Sequence, residues 1–226
     1  MVRAVLFDVD FTLALPGPEL GAEGYRKLGE RHGLSLDSAR YDVARQAAIA
    51  SLQHHPELEH DDEVWVAFTE RIVRGMGGDA AGAYECAVEI VAFWEQHDKF
   101  TLYDDVPRVL EELRGHGLKL GLISNGSRDL DGFVRHHALD VDCAVGSRAF
   151  GRTKPHPDIF RRALTLLEVE AEETAMVGDS YEDDIEGVRA LGIQAFLLDR
   201  DGRYPDEPGR LETLLALPAA LGLPGY

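Results

Sequence analysis

The sequence has no long apolar run, few cysteines and a shortage of basic residues. No stretch of about 18 or more consecutive apolar residues occurs, so no membrane-spanning helix is predicted. Two cysteines are too few for a disulfide framework, and we expect buried thiols in a reducing cytoplasm. The 23 basic residues stand against 41 acidic ones, which gives a net charge of −18. This charge argues against nucleic acid and anionic membranes as partners.

Short apolar segments alternate with helical patterns over much of the chain. The first segment, Val2–Phe7, is typical of a buried parallel strand. Further predicted strands are Leu118–Ile123, Val141–Val145, Ala175–Val177 and Gln194–Leu198. Because strands that alternate with helices form parallel sheets, the sequence predicts an α/β fold with a Rossmann-like, three-layer core.

A helical region interrupts this alternation. Between about Leu20 and His97 there are no strand-like runs, and residues such as Trp65 and Phe68 recur at helical spacing. We expect about four helices here. The predicted domains are therefore an α/β core formed by residues 1–15 and 100–226, and an inserted all-helical domain formed by residues 16–99.

Polar side chains follow three of the predicted strands. Asp8 and Asp10 follow the first strand, Ser124 and Asn125 end the second, and Asp179 follows a later one. Because ligands bind at the carboxyl ends of strands in open parallel sheets, we expect these side chains to converge on one edge.

Asp8 and Asp10 lie two residues apart and would point the same way in an extended strand. Two carboxylates so close repel each other and do not both ionise freely. A bound cation can hold one as an anion while the other keeps a proton, which provides a nucleophile and a general acid. Taken alone, the pair is also compatible with a strand-end turn that has two solvated aspartates.

The other polar residues suit a metal and a phosphate group. Asp179 is the best candidate for a second carboxylate ligand of Mg²⁺, which prefers carboxylates, phosphate oxygens and water. Asp183 or Asp184, a helical turn later, could bind metal-bound water or could simply be favourable charges at a helix start.

Ser124 and Asn125 precede a helix and could hold phosphate oxygens, although Ser-Asn-Gly turns are also common without a function. Lys154 is followed by Pro155 and Pro157 and could neutralise a nucleophile and a transferring phosphate, or it could be ordinary surface charge.

These clusters, in this order, resemble the haloacid dehalogenase superfamily of phosphohydrolases. The segments that match its four motifs are DVDFTL, LISNG, TKPHPDIF and VGDSYEDD. A helical insertion directly after the first motif is similar to one of the superfamily's cap arrangements. The position after Asp10 is often glycine in the family and is Phe11 here.

The resemblance implies a role for each matching residue. Asp8 would be the nucleophile, and Asp10 would protonate the leaving group and later activate water. The magnesium ligands would be Asp8, Asp10 (through its backbone carbonyl) and Asp179. The phosphate-binding residues would be Ser124, Asn125 and Lys154, with Thr12 supporting the site. The residues around the metal-bound water would be Asp183 or Asp184.

The predicted function is magnesium-dependent hydrolysis of a small phosphorylated metabolite through an aspartyl-phosphate. The namesake dehalogenases lack the second aspartate of the first motif, which is present here as Asp10. Two alternatives stay open: a phosphomutase of the same family, which keeps both aspartates, and a non-catalytic metabolite-binding protein on the same fold.

Overall fold

The computed structural model describes residues 1–52, 57–79 and 81–224. The chain divides into two compact units, residues 1–15 with 102–226, and residues 16–101. The α/β unit therefore resumes at Leu102 rather than at residue 100. Local contacts explain the difference, because Gly17 N donates to Lys99 O over 2.7 Å and the Phe100 ring lies edge-on to Trp94 at 5.5 Å. These contacts tie residues 99 and 100 to the helical unit.

Seven strands and ten α-helices are assigned within the described residues. The strands are β1 (Ala4–Phe7), β2 (Ala14–Pro16), β3 (Phe100–Leu102), β4 (Lys119–Ser124), β5 (Cys143–Gly146), β6 (Thr174–Gly178) and β7 (Gln194–Leu197). The helices are α1 (Ala22–Arg31), α2 (Tyr41–Ala50), α3 (Asp62–Gly75), α4 (Ala83–Trp94), α5 (Val106–Gly115), α6 (Leu130–His136), α7 (Ser147–Phe150), α8 (Pro157–Leu167), α9 (Gly187–Arg189) and α10 (Leu217–Ala220). Among these helices, none has the length and apolar character needed to cross a membrane.

The α/β unit is built on a five-stranded sheet in the order β5-β4-β1-β6-β7, with every neighbouring pair parallel. This confirms the predicted Rossmann-like α/β class. The chain crosses from β5 on one side of β1 to β6 on the other, and such a change of direction marks where ligands bind in open sheets. The short strands β2 and β3 form a separate two-stranded sheet.

β1 is the central strand because it is apolar on both faces. All four of its residues are fully buried, as expected for a parallel strand covered by helices on both sides. Ala4 is in register with Lys119 of β4 and with Thr174 of β6. The carboxyl ends of β1, β4 and β6 consequently lie side by side.

The apolar face of α8 anchors one side of this sheet. Ile159, Phe160 and Leu167 of α8 are fully buried in a cluster with Leu6 and Met176 of the strands. Burying each such side chain stabilises the fold by about 1.5–3 kcal/mol. The helix begins at Pro157, whose fixed φ suits a first helical turn, and His156 Nδ1 accepts from Asp158 N to cap it. This packing fixes where the loop before α8 enters the sheet edge.

The helical unit, residues 16–101, has a core of its own. The four helices α1–α4 correspond to the number predicted from the sequence, and Tyr25, Ile72, Met76 and Ile90 are among their buried residues. The predicted helical domain also includes residues 53–56 and 80, which lie outside the described residues. Of the two cysteines, Cys86 is buried in this core, whereas Cys143 in the edge strand β5 is only partly buried.

Candidate active site

Three carboxylates meet at the carboxyl edge of the sheet. Asp8 follows β1, Asp179 follows β6, and Asp184 lies in a short π-helix, Tyr181–Glu186. One oxygen atom of each carboxylate lies within 4.8 Å of the corresponding oxygens of the other two. The sequence predicted that Asp8 and Asp179 would come together, and it left the residue beside the metal-bound water open between Asp183 and Asp184.

Lys154 reaches into this cluster from the loop before α8. Its Nζ atom lies 2.5 Å from Asp8 Oδ1 and 2.6 Å from Asp184 Oδ1, and its side chain is only 2% exposed. Burial lowers the pKa of Lys154, but the carboxylates of Asp184 and Asp8 outweigh this effect and raise the pKa above its ordinary value. The lysine is therefore a permanent positive charge against Asp8.

The three carboxyl groups do not ionise as they would in water. Burial raises the pKa of Asp8, an effect that Lys154 opposes and Asp184 reinforces. Burial and then the charge of Asp8 raise the pKa of Asp179. Burial also raises the pKa of Asp184 to about 6, although Lys154 works against it. One lysine thus offsets three carboxylates only in part, and buried oxygen donors with excess negative charge fit a divalent cation.

These raised pKa values predict how stability depends on pH in the absence of divalent metal. The folded protein binds more protons than the unfolded chain above the ordinary carboxyl value of 3.8, up to about 6 for Asp184 and higher for the other two. Stability must then fall as the pH rises through this interval. We expect the urea midpoint of chelator-treated protein to be higher at pH 5.5 than at pH 7.5.

The Asp8→Asn variant provides the control for this pH dependence, because it removes one of the three groups but changes the net charge little. Its midpoint should vary less between the two pH values than that of the wild type. An equal variation in both proteins would mean that general charge repulsion, and not this cluster, causes the effect.

Asp184 and Asp183 occupy different environments. The Asp184 side chain is fully buried, and its Oδ2 accepts from Ser180 N over 3.1 Å. A Cβ atom on Gly178 would lie 2.1 Å from that oxygen, so only glycine fits at this strand end. Asp183 Oδ2 instead accepts from Asn125 Nδ2 over 3.2 Å. The structure therefore brings Asp184, and not Asp183, into the carboxylate cluster.

Asn125 joins two loops of the site. Its Nδ2 donates to Lys154 O over 3.0 Å, and its Oδ1 accepts from Lys154 N over 2.6 Å. The side chain thus fixes the backbone that carries the lysine. Ser124, at the end of β4, is 6% exposed, and its Oγ accepts from Gly126 N over 3.2 Å. Both residues lie at the predicted edge, and their phosphate-binding role stays a prediction.

The loop after β1 places Asp10 and Thr12 differently from Asp8. The Asp10 side chain is 23% exposed, and its Oδ1 accepts from Arg128 Nη2 over 2.8 Å. Thr12 is fully buried, and within the described residues its hydroxyl has no hydrogen-bond partner. The Thr12 carbonyl accepts from Arg200 Nη2 over 3.3 Å, and this hydrogen bond holds the backbone of the loop that follows β1.

Phe11 adopts a backbone conformation that usually belongs to glycine. Its φ of 64° lies in the left-handed region, which costs roughly 1–2 kcal/mol for a residue with a side chain. The turn is closed by a hydrogen bond of 2.7 Å from Phe11 N to Ala14 O. This geometry explains physically why glycine suits the position.

Sequence reasoning missed two arginines of the site. Arg128 contacts Asp10, and Arg203 Nη2 lies 3.9 Å from Asp179 Oδ2. The available signal for Arg128 was its place four residues after Ser124, in a loop already expected at the sheet edge. Nothing in the sequence marked Arg203, because the segment around it is rich in polar residues, glycine and proline and has no regular pattern. A doubly wound sheet with a carboxylate cluster at its carboxyl edge is nevertheless typical of a metal-binding α/β enzyme.

Comparison with known proteins identifies the family. The family described as haloacid dehalogenase-like hydrolase matches residues 2–192. The chain is 37% identical to the phosphoserine phosphatase of Thermus thermophilus, over 92% of each chain. It is 32% identical to the glyceraldehyde 3-phosphate phosphatase of Methanopyrus kandleri, over 91% of this chain and 87% of that one. The chain therefore belongs to the haloacid dehalogenase-like hydrolases.

A solved structure supports the same fold. The Bacillus subtilis hydrolase YfnB has a TM-score of 0.76 to this structure at 22% identity, over 98% of this chain and 99% of that one. The resemblance inferred from the four motifs is confirmed, as is the prediction of a hydrolase of phosphatase type.

Proposed function

We propose that the protein is a magnesium-dependent phosphatase that hydrolyses a small phosphorylated metabolite through an aspartyl-phosphate on Asp8. The observation that carries this proposal is the cluster of Asp8, Asp179 and Asp184, in which Asp8 and Asp184 are buried against Lys154 and Asp179 is partly exposed. The family membership and the two relatives named as phosphatases support it.

Asp8 is suited to attack phosphorus because its carboxylate is fixed and desolvated. Lys154 holds Oδ1, and burial removes most of the water that would otherwise solvate the nucleophile. In the first step a bond forms between an Asp8 oxygen and phosphorus, and the bond from phosphorus to the ester oxygen breaks. In the second step water takes the place of the Asp8 oxygen and releases phosphate.

Magnesium, when bound by Asp8, Asp179 and the backbone carbonyl of Asp10, would neutralise charge on the phosphoryl oxygens. Asp184 would orient Lys154 and the metal-bound water, and Asp183 would support Asn125. Ser124, Asn125 and Lys154 would bind the phosphate group, and Thr12 would support the loop that carries Asp10. Oxygen donors and partly uncompensated negative charge are what a hard divalent cation requires.

The proton that the leaving group needs would come from Asp10. It would donate to the ester oxygen as the first bond breaks, and would take a proton back from water in the second step. We further propose that residues 16–101 act as the cap that selects the substrate. The two relatives are named as phosphatases of phosphoserine and of glyceraldehyde 3-phosphate, and we expect a substrate of similar size.

Phosphate release from a panel of esters tests this function. The panel should contain phosphoserine, glyceraldehyde 3-phosphate and p-nitrophenyl phosphate, each assayed with Mg²⁺ and with excess EDTA. We expect turnover of at least one ester with Mg²⁺ and a loss of about 100-fold or more with EDTA, since the metal stabilises transition-state charge by several kcal/mol.

Two variants test whether Asp179 binds the magnesium. Asp179→Asn should raise the Mg²⁺ concentration needed for half-maximal activity, whereas Asp104→Asn, which changes an exposed carboxylate, should not. Hydrolysis that is unaffected by EDTA would contradict the magnesium proposal. Activity that depends on an added bisphosphate would favour a phosphomutase, and binding of an ester without turnover would favour a non-catalytic protein.

A further inference from the structure

Arg128 is a buried charge that none of the proposed roles uses. Its side chain is 4% exposed, although arginine is almost never buried without a partner. Burying a guanidinium costs several kcal/mol unless hydrogen bonds and an opposite charge compensate for the loss of water. The contacts of Arg128 inside the site must therefore compensate for the water that its guanidinium loses.

The partners of Arg128 fix it at the second aspartate of the first motif. Its Nη2 donates to Asp10 Oδ1 over 2.8 Å, and its Cζ lies 5.0 Å from the ring centroid of the fully buried Phe133. Arg148 Nη1 donates to Ser127 O over 2.9 Å, which holds the backbone immediately before Arg128. The guanidinium thus lies between Asp10 and the ring of Phe133 in α6, on a loop whose backbone Arg148 holds.

The other oxygen of Asp10 faces the loop expected to hold phosphate. A Cβ atom built on Gly126 would lie 3.6 Å from Asp10 Oδ2 and 3.5 Å from Ser124 Oγ. Because Gly126 has no side chain, the space between these two oxygens is open. One oxygen of Asp10 is therefore held by the arginine, and the other faces the open space beside Gly126 and Ser124.

We propose that Arg128 is a positioning residue for Asp10, which holds Oδ1 so that Oδ2 exchanges the proton with the leaving group and with water. This inference rests on the proposed function. In the first half-reaction the proton on Oδ2 moves to the ester oxygen, which keeps the electron pair of the broken bond. In the second half-reaction Oδ2 takes one proton from the attacking water, so Asp10 is protonated again at the end of the cycle.

Esters with different leaving groups test the proposal. p-Nitrophenolate departs with little protonation, whereas the alkoxide of glycerol phosphate needs a proton. We expect Arg128→Gln to lower kcat/KM for glycerol phosphate by about 100-fold, because misplacing a catalytic group by about 1 Å costs that much. The same variant should lower kcat/KM for p-nitrophenyl phosphate by less than about 5-fold. Arg128→Lys, which keeps a donor and the charge, should restore part of the loss.

A double-mutant comparison separates positioning from a general structural role. Asp10→Asn should show the same leaving-group dependence, and adding Arg128→Gln to it should cause no further loss, because the two residues would act as a unit. Arg135→Gln, which removes an exposed charge from α6, should leave both rates unchanged. Thermal unfolding of each variant verifies that it is folded.

The outcomes distinguish this inference from the proposed function. Equal losses on both esters, or losses that add in the double variant, would overturn the role of Arg128 while leaving the phosphatase proposal in place. A wild-type protein that hydrolyses neither ester, nor any other in the panel, would overturn both.

Discussion

Replacing Asp8 by asparagine is expected to reduce phosphatase activity by about 10⁴-fold or more, because removal of a catalytic nucleophile has effects of that size. Asparagine keeps the shape of the side chain but cannot form the acyl phosphate. The fold should survive, since Lys154 retains Asp184 as a buried partner at 2.6 Å. Because burial raises the pKa of Asp8 and so disfavours its charge, the metal-free variant should unfold at the same temperature as the wild type or higher.

The covalent intermediate provides a second measurement. Wild-type protein quenched with acid during turnover of a labelled ester should carry label on a peptide that contains Asp8, and the Asp8→Asn protein should carry none. The exposed-carboxylate variant Asp104→Asn should behave as the wild type in both assays. Activity of Asp8→Asn near the wild-type level would exclude Asp8 as the nucleophile.

Replacing Lys154 by methionine is expected to impair both stability and activity. The change leaves Asp8 and Asp184 buried without their shared cation, and removing one partner of a buried ion pair costs about 3–5 kcal/mol. The destabilisation of metal-free protein should be largest at pH 7.5 and smaller at pH 5.5, where the carboxyl groups accept protons instead. Urea unfolding at the two pH values measures this difference, and kcat with Mg²⁺ measures the catalytic loss.

Two further variants make the lysine prediction specific. Lys27→Met alters an exposed lysine and should change the stability by less than about 0.5 kcal/mol. Combining Lys154→Met with Asp184→Asn should recover part of the stability, because one of the two uncompensated carboxylates is then neutral. A Lys154→Met protein as stable as the wild type at pH 7.5 would show that the lysine does not compensate these charges.

The sequence was sufficient to predict the architecture because the strands of the sheet are buried. Ala4–Phe7 and Lys119–Ser124 are nearly continuous apolar segments, and such segments alternating with helices allow few other folds. The pairing of β2 with β3 was not predicted. These are strands of three residues, one of which ends at Pro16, and their pairing depends on backbone hydrogen bonds rather than on a hydrophobic pattern.

Within the site, the strand-end residues could be placed from the sequence and the loop residues could not. Asp8 and Asp179 follow buried strands, so the topology of the sheet determines where they lie. The choice between Asp183 and Asp184 depended on helical phase, and the segment Tyr181–Glu186 is a π-helix whose wider turn changes that phase. The pairing of Arg128 with Asp10 spans 118 residues and has no local signal.

The central position of β1 has a consequence for the order in which the protein is made. Arg3, just before this strand, pairs with Glu173, which is added to the chain 170 residues later. At usual rates of translation the first strand leaves the ribosome roughly 10–30 s before its last neighbour exists. The helical unit has its own core and can fold during this time, and β4 becomes available to one edge of the first strand, whose other edge stays unpaired until β6 is made. The sheet is therefore complete only after β6 and β7 have been synthesised. A chain that stops before β6 leaves one edge of β1 exposed, and such an exposed apolar edge is prone to aggregation.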